Sequence, residues 1–273
     1  MRRTVNACGA LLAALLLAAP LAADDHGRLV WSDDFNQPAG SGPDPRHWAF
    51  ALGRGDSGWG NHELEAYTSS PLNCSVVDDP AATDGKALAI RAVSGTGGIT
   101  SARLNTQGLF SARYGLVEAR MRLPSGRGMW PAFWMLGGGF PKAAWPGCGE
   151  IDIMENLGQR PGKVYGTLHG PGYSGAKGIQ GSFTAADGSG FDQAYHVFAV
   201  DWEPGRIRWL VDGKVYSDVT PARLPKGARW VFDQPFFILL NFAVGGEWPG
   251  NPDASAKYPQ TLLVDYVRVY SRR

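Results

Sequence analysis

The stretch Gly115-Leu-Val-Glu-Ala-Arg-Met-Arg-Leu123 reads as one strand of a half-buried antiparallel sheet. Val117, Ala119, Met121 and Leu123 alternate with Glu118, Arg120 and Arg122, and successive side chains of a strand point to opposite faces. The reading extends outward along the chain. Ala87-Leu-Ala-Ile-Arg-Ala92, His196-Val-Phe-Ala-Val-Asp-Trp202 and Leu262-Leu-Val-Asp-Tyr-Val-Arg-Val-Tyr270 are further apolar runs of strand length. Arg206-Ile-Arg-Trp-Leu-Val211 and Lys214-Val-Tyr216 flank Asp212-Gly213, a pair suited to a two-residue hairpin turn. The 37 glycines and 19 prolines punctuate these runs. The Gly/Ser-rich residues 170–190 read as long loops, and no repeat or linker divides the chain. The pattern implies an all-β fold, a two-sheet antiparallel β-sandwich of jelly-roll type.

The first residues have the composition of a secretory signal. Arg2 and Arg3 precede an apolar run, and Leu21-Ala-Ala23 offers a small-residue cleavage site before Asp24. The run is too short to span a bilayer, and Cys8 lies too early for a lipid-anchor cysteine. The expectation is a signal over residues 1–23, and a single domain over 24–273 that is secreted or periplasmic and not held at a membrane. Lys and Arg (26) nearly balance Asp and Glu (25), which gives no electrostatic reason for a nucleic-acid partner. The ten tryptophans are more informative, because aromatic faces suit sugar rings as well as cores. Cys74 and Cys148 remain after processing. A bridge between them and a pair of unbridged thiols are both open.

The segment Gly149-Glu-Ile-Asp-Ile-Met-Glu-Asn156 carries the chemistry. Glu150 and Asp152 share one face of a strand, whereas Glu155 has the wrong parity. It joins them only if Ile153 or Met154 is absorbed in a β-bulge, a device that re-aims side chains beside active sites. Clustered carboxylates push at least one pKa upward. Two carboxyl groups with separated pKa values are what glycosidic bond cleavage requires.

With its neighbours, the segment resembles glycoside hydrolase family 16 in its bulged, laminarinase-like form. Trp31-Ser-Asp-Asp-Phe35 is similar to the family's first strand, and Trp59-Gly-Asn-His-Glu-Leu-Glu-Ala-Tyr-Thr68 to its Asn-Asn-Glu-Leu segment, with His62 for the second Asn. Gly126-Arg-Gly-Met-Trp-Pro-Ala-Phe-Trp-Met-Leu136, Phe198-Ala-Val-Asp-Trp-Glu-Pro204 and Leu240-Asn-Phe-Ala-Val-Gly-Gly-Glu-Trp-Pro-Gly250 match in the same order.

The resemblance implies a curved, concanavalin A-like jelly roll whose concave face holds a β-glucan. It implies retaining hydrolysis, with Glu150 as nucleophile, Asp152 as assistant and Glu155 as acid/base. Trp130 and Trp134, four apart on one strand face, are similar to sugar-stacking tryptophans, and Pro131 between them suggests an edge or bulged strand. His169 resembles a histidine on the leaving-group side. Asn61, Arg103 and Trp248 match further cleft positions, and Glu63 stands beside Asn61. Asp34, Gly85 and Asp265 match the positions of a structural calcium, although a hydrogen-bonded aspartate without metal explains Asp265 equally well. No cofactor is expected for the chemistry, and the enzyme is expected to act as a monomer. The expected activity is an endo-β-1,3-glucanase. A β-1,3-1,4-glucanase, another β-glycan hydrolase or transglycosylase, and a non-catalytic β-glucan-binding module are the alternatives.

Overall fold

Along Met129–Gly137 the side chains alternate strictly. Met129, Pro131, Phe133 and Met135 turn inward and are buried, while Trp130, Ala132, Trp134 and Leu136 line a cleft. The same two-residue period along neighbouring strands builds the computed structural model, which describes residues 27–186 and 188–272. One sheet has seven strands in the spatial order Ile179–Thr184 (β12), Lys163–His169 (β11), Glu150–Asn156 (β10), Met129–Gly137 (β9), Phe236–Val244 (β16), Arg103–Asn105 (β7) and Ala49–Phe50 (β2). The other has ten. Its order is Lys214–Val219 (β15), Arg206–Val211 (β14), His196–Glu203 (β13), Gly115–Arg122 (β8), Gln260–Ser271 (β17), Lys86–Gly95 (β5), Gly98–Ser101 (β6) and Ala66–Tyr67 (β3). Arg28–Asp33 (β1) pairs with β17, and Cys74–Asp78 (β4) with β5. Every pairing is antiparallel except β3 with β6.

The inward faces of both sheets meet in one apolar cluster. Phe133, Met135, Ile151, Ile238 and Leu240 come from the smaller sheet, and Val117, Met121, Val200, Trp209 and Val267 from the larger. Full burial of each such side chain is worth roughly 1.5–3 kcal/mol. The hairpin β14–β15 turns at Asp212 (φ 47°) and Gly213 (φ 74°), the positive pair that an Asp-Gly turn requires.

The structure corrects several local expectations. Residues 170–190 are not all loop, because Ile179–Thr184 forms the edge strand β12, with Ile179, Gly181 and Phe183 more covered than their neighbours. Its two-residue period is hidden by Gly and Ser. Pro131 lies on no edge strand, since β9 runs between β10 and β16. The ladder with β10 ends at Ala132, opposite Glu155, so the proline falls where no donor is needed on that side. Glu118 is buried on the outer face of β8, opposite Arg268 of β17. Cys74 and Cys148 are both buried and unbridged. Among the described residues, no helix is long and apolar enough to cross a membrane. The expected signal, residues 1–23, lies outside the described residues.

Candidate active site

On β10 the register against β11 shifts between Asp152, opposite Thr167, and Glu155, opposite Tyr165. Against β9 the shift falls between Asp152, opposite Trp134, and Met154, opposite Phe133. One extra residue is therefore taken up, as parity requires. Ile151, Ile153 and Met154 stay in the core, while Glu150, Asp152 and Glu155 all line the cleft. The bulge is held from behind. Trp209, on β14 of the opposite sheet, reaches through the core and donates its indole N–H to the Asp152 carbonyl oxygen at 2.7 Å. Gly166 faces this indole, and a Cβ there would lie 2.2 Å from the Trp209 ring.

Burial sets the electrostatics of the three acids. Desolvation, then repulsion by Asp152, pushes Glu150 up to about 8, against the opposing pull of His169 and Arg103. Desolvation likewise raises Asp152 to about 8. Glu155 is raised well above its ordinary value, by burial first and by Asp152 second. Three carboxylates in this space cannot all be charged near neutrality, and they titrate as a unit. His169 Nε2 lies 3.1 Å from Asp152 Oδ2 and 3.7 Å from Glu150 Oε1. Asp152 Oδ2 itself receives no aligned donor. Trp130 donates its indole N–H to Glu155 Oε1 at 3.1 Å, which fixes that carboxyl against the cleft wall.

The cleft, of ≈ 940 Å³, lies over the outer face of the seven-stranded sheet. Its floor is apolar, with Leu136, Phe237 and Leu239, and its walls carry Trp59, Trp130, Trp134 and Trp145. The Arg103 guanidinium lies over the rings of Trp59 (4.4 Å) and Trp134 (4.9 Å), an arrangement that holds the cation and both indoles in place. Asn61 lines the cleft and donates to Glu63 Oε1 at 3.1 Å. Trp248 stands edge-on to Trp130 and Tyr165 and is exposed at the rim. His62 approaches Glu247 Oε1 at 2.8 Å, tying its loop to the one that carries Trp248.

Four residues of this region were not legible in the sequence. Tyr67 and Asn241 are hydrogen-bonded behind Trp134, and Glu65, also buried, accepts the Val244 amide. For Glu65 and Tyr67 the one signal is their alternation with Glu63. Trp209, which anchors the bulge, gives no sign in sequence that it differs from other core tryptophans.

The expected calcium donors do not fit the ion in this arrangement. Asp265 accepts hydrogen bonds from the Thr83 amide (3.0 Å) and hydroxyl (2.7 Å) and pairs with Arg120. Asp34 pairs with Arg268 at 2.8 Å, and the Gly85 carbonyl accepts the Asp79 amide at 2.9 Å. A calcium ion would have to displace a guanidinium from each carboxylate. Among the described residues one trio of acid and imidazole groups could hold a metal, Glu150, Asp152 and His169, with ligand atoms within 4.8 Å of one another. It belongs to the acid cluster itself.

A paired set of acids between indole walls is a geometry suited to glycosidic cleavage, and the comparisons with known proteins agree. The model of glycosyl hydrolases family 16 matches residues 68–268. A β-glucanase from Rhodothermus marinus is 41% identical over 289 aligned positions, covering 99% of this chain and 94% of the relative. The solved structure of an endo-β-1,3-glucanase from Pyrococcus furiosus is 46% identical, with TM-score 0.80 over 89% of this chain and 94% of that one. That of a laminarinase catalytic domain from Thermotoga petrophila RKU-1 is 43% identical, with TM-score 0.81 over 89% and 97%. The two-sheet jelly roll and the ordered acids of β10 thus belong to a member of glycosyl hydrolases family 16.

Proposed function

We propose that this chain is an exported, retaining endo-β-1,3-glucanase that hydrolyses laminarin-like glucans as a monomer. The observation that carries the reading is the bulge of β10, which gathers Glu150, Asp152 and Glu155 on one cleft face between Trp130 and Trp134. The activities of the similar β-glucanase and endo-β-1,3-glucanases support it.

In this reading Glu155 is protonated in the resting enzyme, as its burial favours, and Glu150 is ionised, its proton passed to Asp152. Glu150 attacks the anomeric carbon while Glu155 gives its proton to the departing glycosidic oxygen. The carbon–oxygen bond breaks and a glycosyl ester forms on Glu150. Glu155, now a carboxylate, takes a proton from water, which attacks the same carbon and releases Glu150. Retention requires the two carboxyls about 5–5.5 Å apart. No cofactor enters, because the acids supply both the nucleophile and the proton.

The test is digestion of laminarin, curdlan, barley glucan, agarose and carrageenan, with sizing of products and proton NMR of the first-formed anomer. Mid-chain fragments from laminarin with initial β-configuration are expected. Cleavage of barley glucan or a galactan but not laminarin would overturn the linkage assignment. Cleavage of none would leave a binding module. In the same assay Trp134→Ala is expected to raise KM roughly tenfold, the equivalent of ~1.4 kcal/mol, with a smaller change in kcat, because a lost stacking face weakens ground-state binding.

A further inference from the structure

Behind the cleft wall a chain of hydrogen bonds runs in one direction. The Trp134 indole N–H donates to Asn241 Oδ1 at 2.7 Å. Asn241 Nδ2 donates to the Tyr67 hydroxyl oxygen at 3.1 Å, and the Tyr67 hydroxyl donates to Glu63 Oε2 at 2.9 Å. Asn61 Nδ2 donates to the other Glu63 oxygen at 3.1 Å. Glu63 thus collects donors from both sides and acts as the carboxylate sink of the network.

Next to it, Glu65 is 0% exposed. Its Oε2 accepts the Val244 amide at 2.7 Å, but its Oε1 is buried and receives no donor. Glu65 stands two residues from Glu63, and repulsion between the two carboxyls favours a proton on Glu65. Two carboxylates have no hydrogen to share, and a buried polar atom without a partner is costly. A single proton on Glu65, donated to Glu63, removes both problems.

We propose that Glu65 and Glu63 share one buried proton, and that Glu65 is a positioning residue whose proton keeps Asn61 and Trp134 set to receive the glucan. Glu65 touches neither substrate nor acids; it acts through Glu63, Tyr67 and Asn241. The inference rests on the reading of this cleft as the glucan site.

The surroundings are consistent with a proton held at neutral pH. Burial and the Glu63 charge push Glu65 up to about 8. The groups facing the pair are Tyr67 on its own segment, Tyr258 from the loop before β17, and Arg103 from β7, which acts on Tyr67. Arg54 binds the intervening Leu64 carbonyl at 2.5 Å and is exposed.

Above pH 8 the proton leaves, the two carboxylates repel and the wall loosens. One pH unit beyond that point about a tenth of the molecules keep the proton, so apparent affinity falls about tenfold. The test combines kinetics on laminarin at pH 6 and 9 with infrared spectroscopy of the protonated-carboxyl C=O stretch. In the unmodified enzyme KM is expected to rise about tenfold between these pH values. Glu65→Gln supplies a permanent N–H donor, so its KM should rise less than twofold while its kcat profile follows the parent. It should also lose one protonated-carboxyl band at pH 6. Tyr67→Phe cuts the chain and should show a raised KM that no longer depends on pH. A Glu65→Gln or Tyr67→Phe enzyme that keeps the parental KM rise, or an infrared spectrum unchanged by Glu65→Gln, would overturn the proposal. The infrared band needs no sugar, so a chain that shows it but leaves laminarin uncut would sink the function and uphold the shared proton.

Discussion

Glu155→Gln is expected to lower kcat on laminarin by about 10²–10⁴-fold, and Glu150→Gln by more, while both still bind the glucan. Glu155 is the cleft acid held by the Trp130 indole N–H, and glutamine keeps its shape but cannot give a proton to the leaving oxygen. Glu150→Gln removes the nucleophile itself, so no glycosyl ester forms. Binding persists because Trp130, Trp134 and Arg103 are untouched. Steady-state kinetics with calorimetric binding checks this, and parental turnover by either variant would refute the assignment.

The same substitutions carry a stability signature of known sign. A carboxyl whose folded pKa lies above its unfolded value binds more protons in the native state, so stability falls as pH rises between the two values. For the proton shared by Glu150 and Asp152 the window closes at about 8, and for Glu155 it runs from about 4.5 upward. Either glutamine variant should therefore melt above the parent at pH 8 and close to it at pH 4. The acids are held at a cost to the fold, as at many active sites.

Gly166→Ala is expected to damage the site from outside the cleft. The new Cβ would lie 2.2 Å from the Trp209 ring and 2.6 Å from the Tyr216 hydroxyl. Trp209 is wholly buried and its N–H holds the Asp152 carbonyl at the bulge, so it cannot retreat without releasing that carbonyl. Overpacking of this kind costs roughly 1–3 kcal/mol. Trp209→Phe separates the two effects. It introduces no clash and leaves the Asp152 carbonyl unpaired, which costs about 1–3 kcal/mol. Both variants should melt lower, and kcat should fall more than KM rises, because the bulge sets the spacing of Glu150 and Glu155. Folded variants with parental kcat would show that the bulge needs no anchor.

How far the sequence anticipated this structure depended on whether the signal was local. Alternation along β8, the shared strand face of Trp130 and Trp134, the Asp-Gly turn at residues 212–213 and the parity conflict at Glu155 are all signals of single segments, and each has its counterpart in the fold. The conflict even located the bulge to within Ile153 and Met154. Signals between segments were not visible. The Trp209 bond to β10 joins residues 57 apart in sequence, and the Asn241–Tyr67 link spans 174. β12 was obscured because Gly181 and Ser182 supply a strand's pleat without its usual side chains. The calcium positions matched by type, but the type of a carboxylate does not reveal whether Arg120 or Arg268 already holds it.

The central claim, that the bulge sets Glu150 as nucleophile opposite Glu155 as acid/base, is tested most directly by trapping. A 2-deoxy-2-fluoro laminaribiosyl fluoride slows release of the glycosyl ester, so the enzyme should gain the mass of one glycosyl group. Peptide mapping should place that group on Glu150, with Glu155 and Asp152 unlabelled. A label on either of those residues, or turnover of laminarin by an enzyme that takes up no label, would contradict the account.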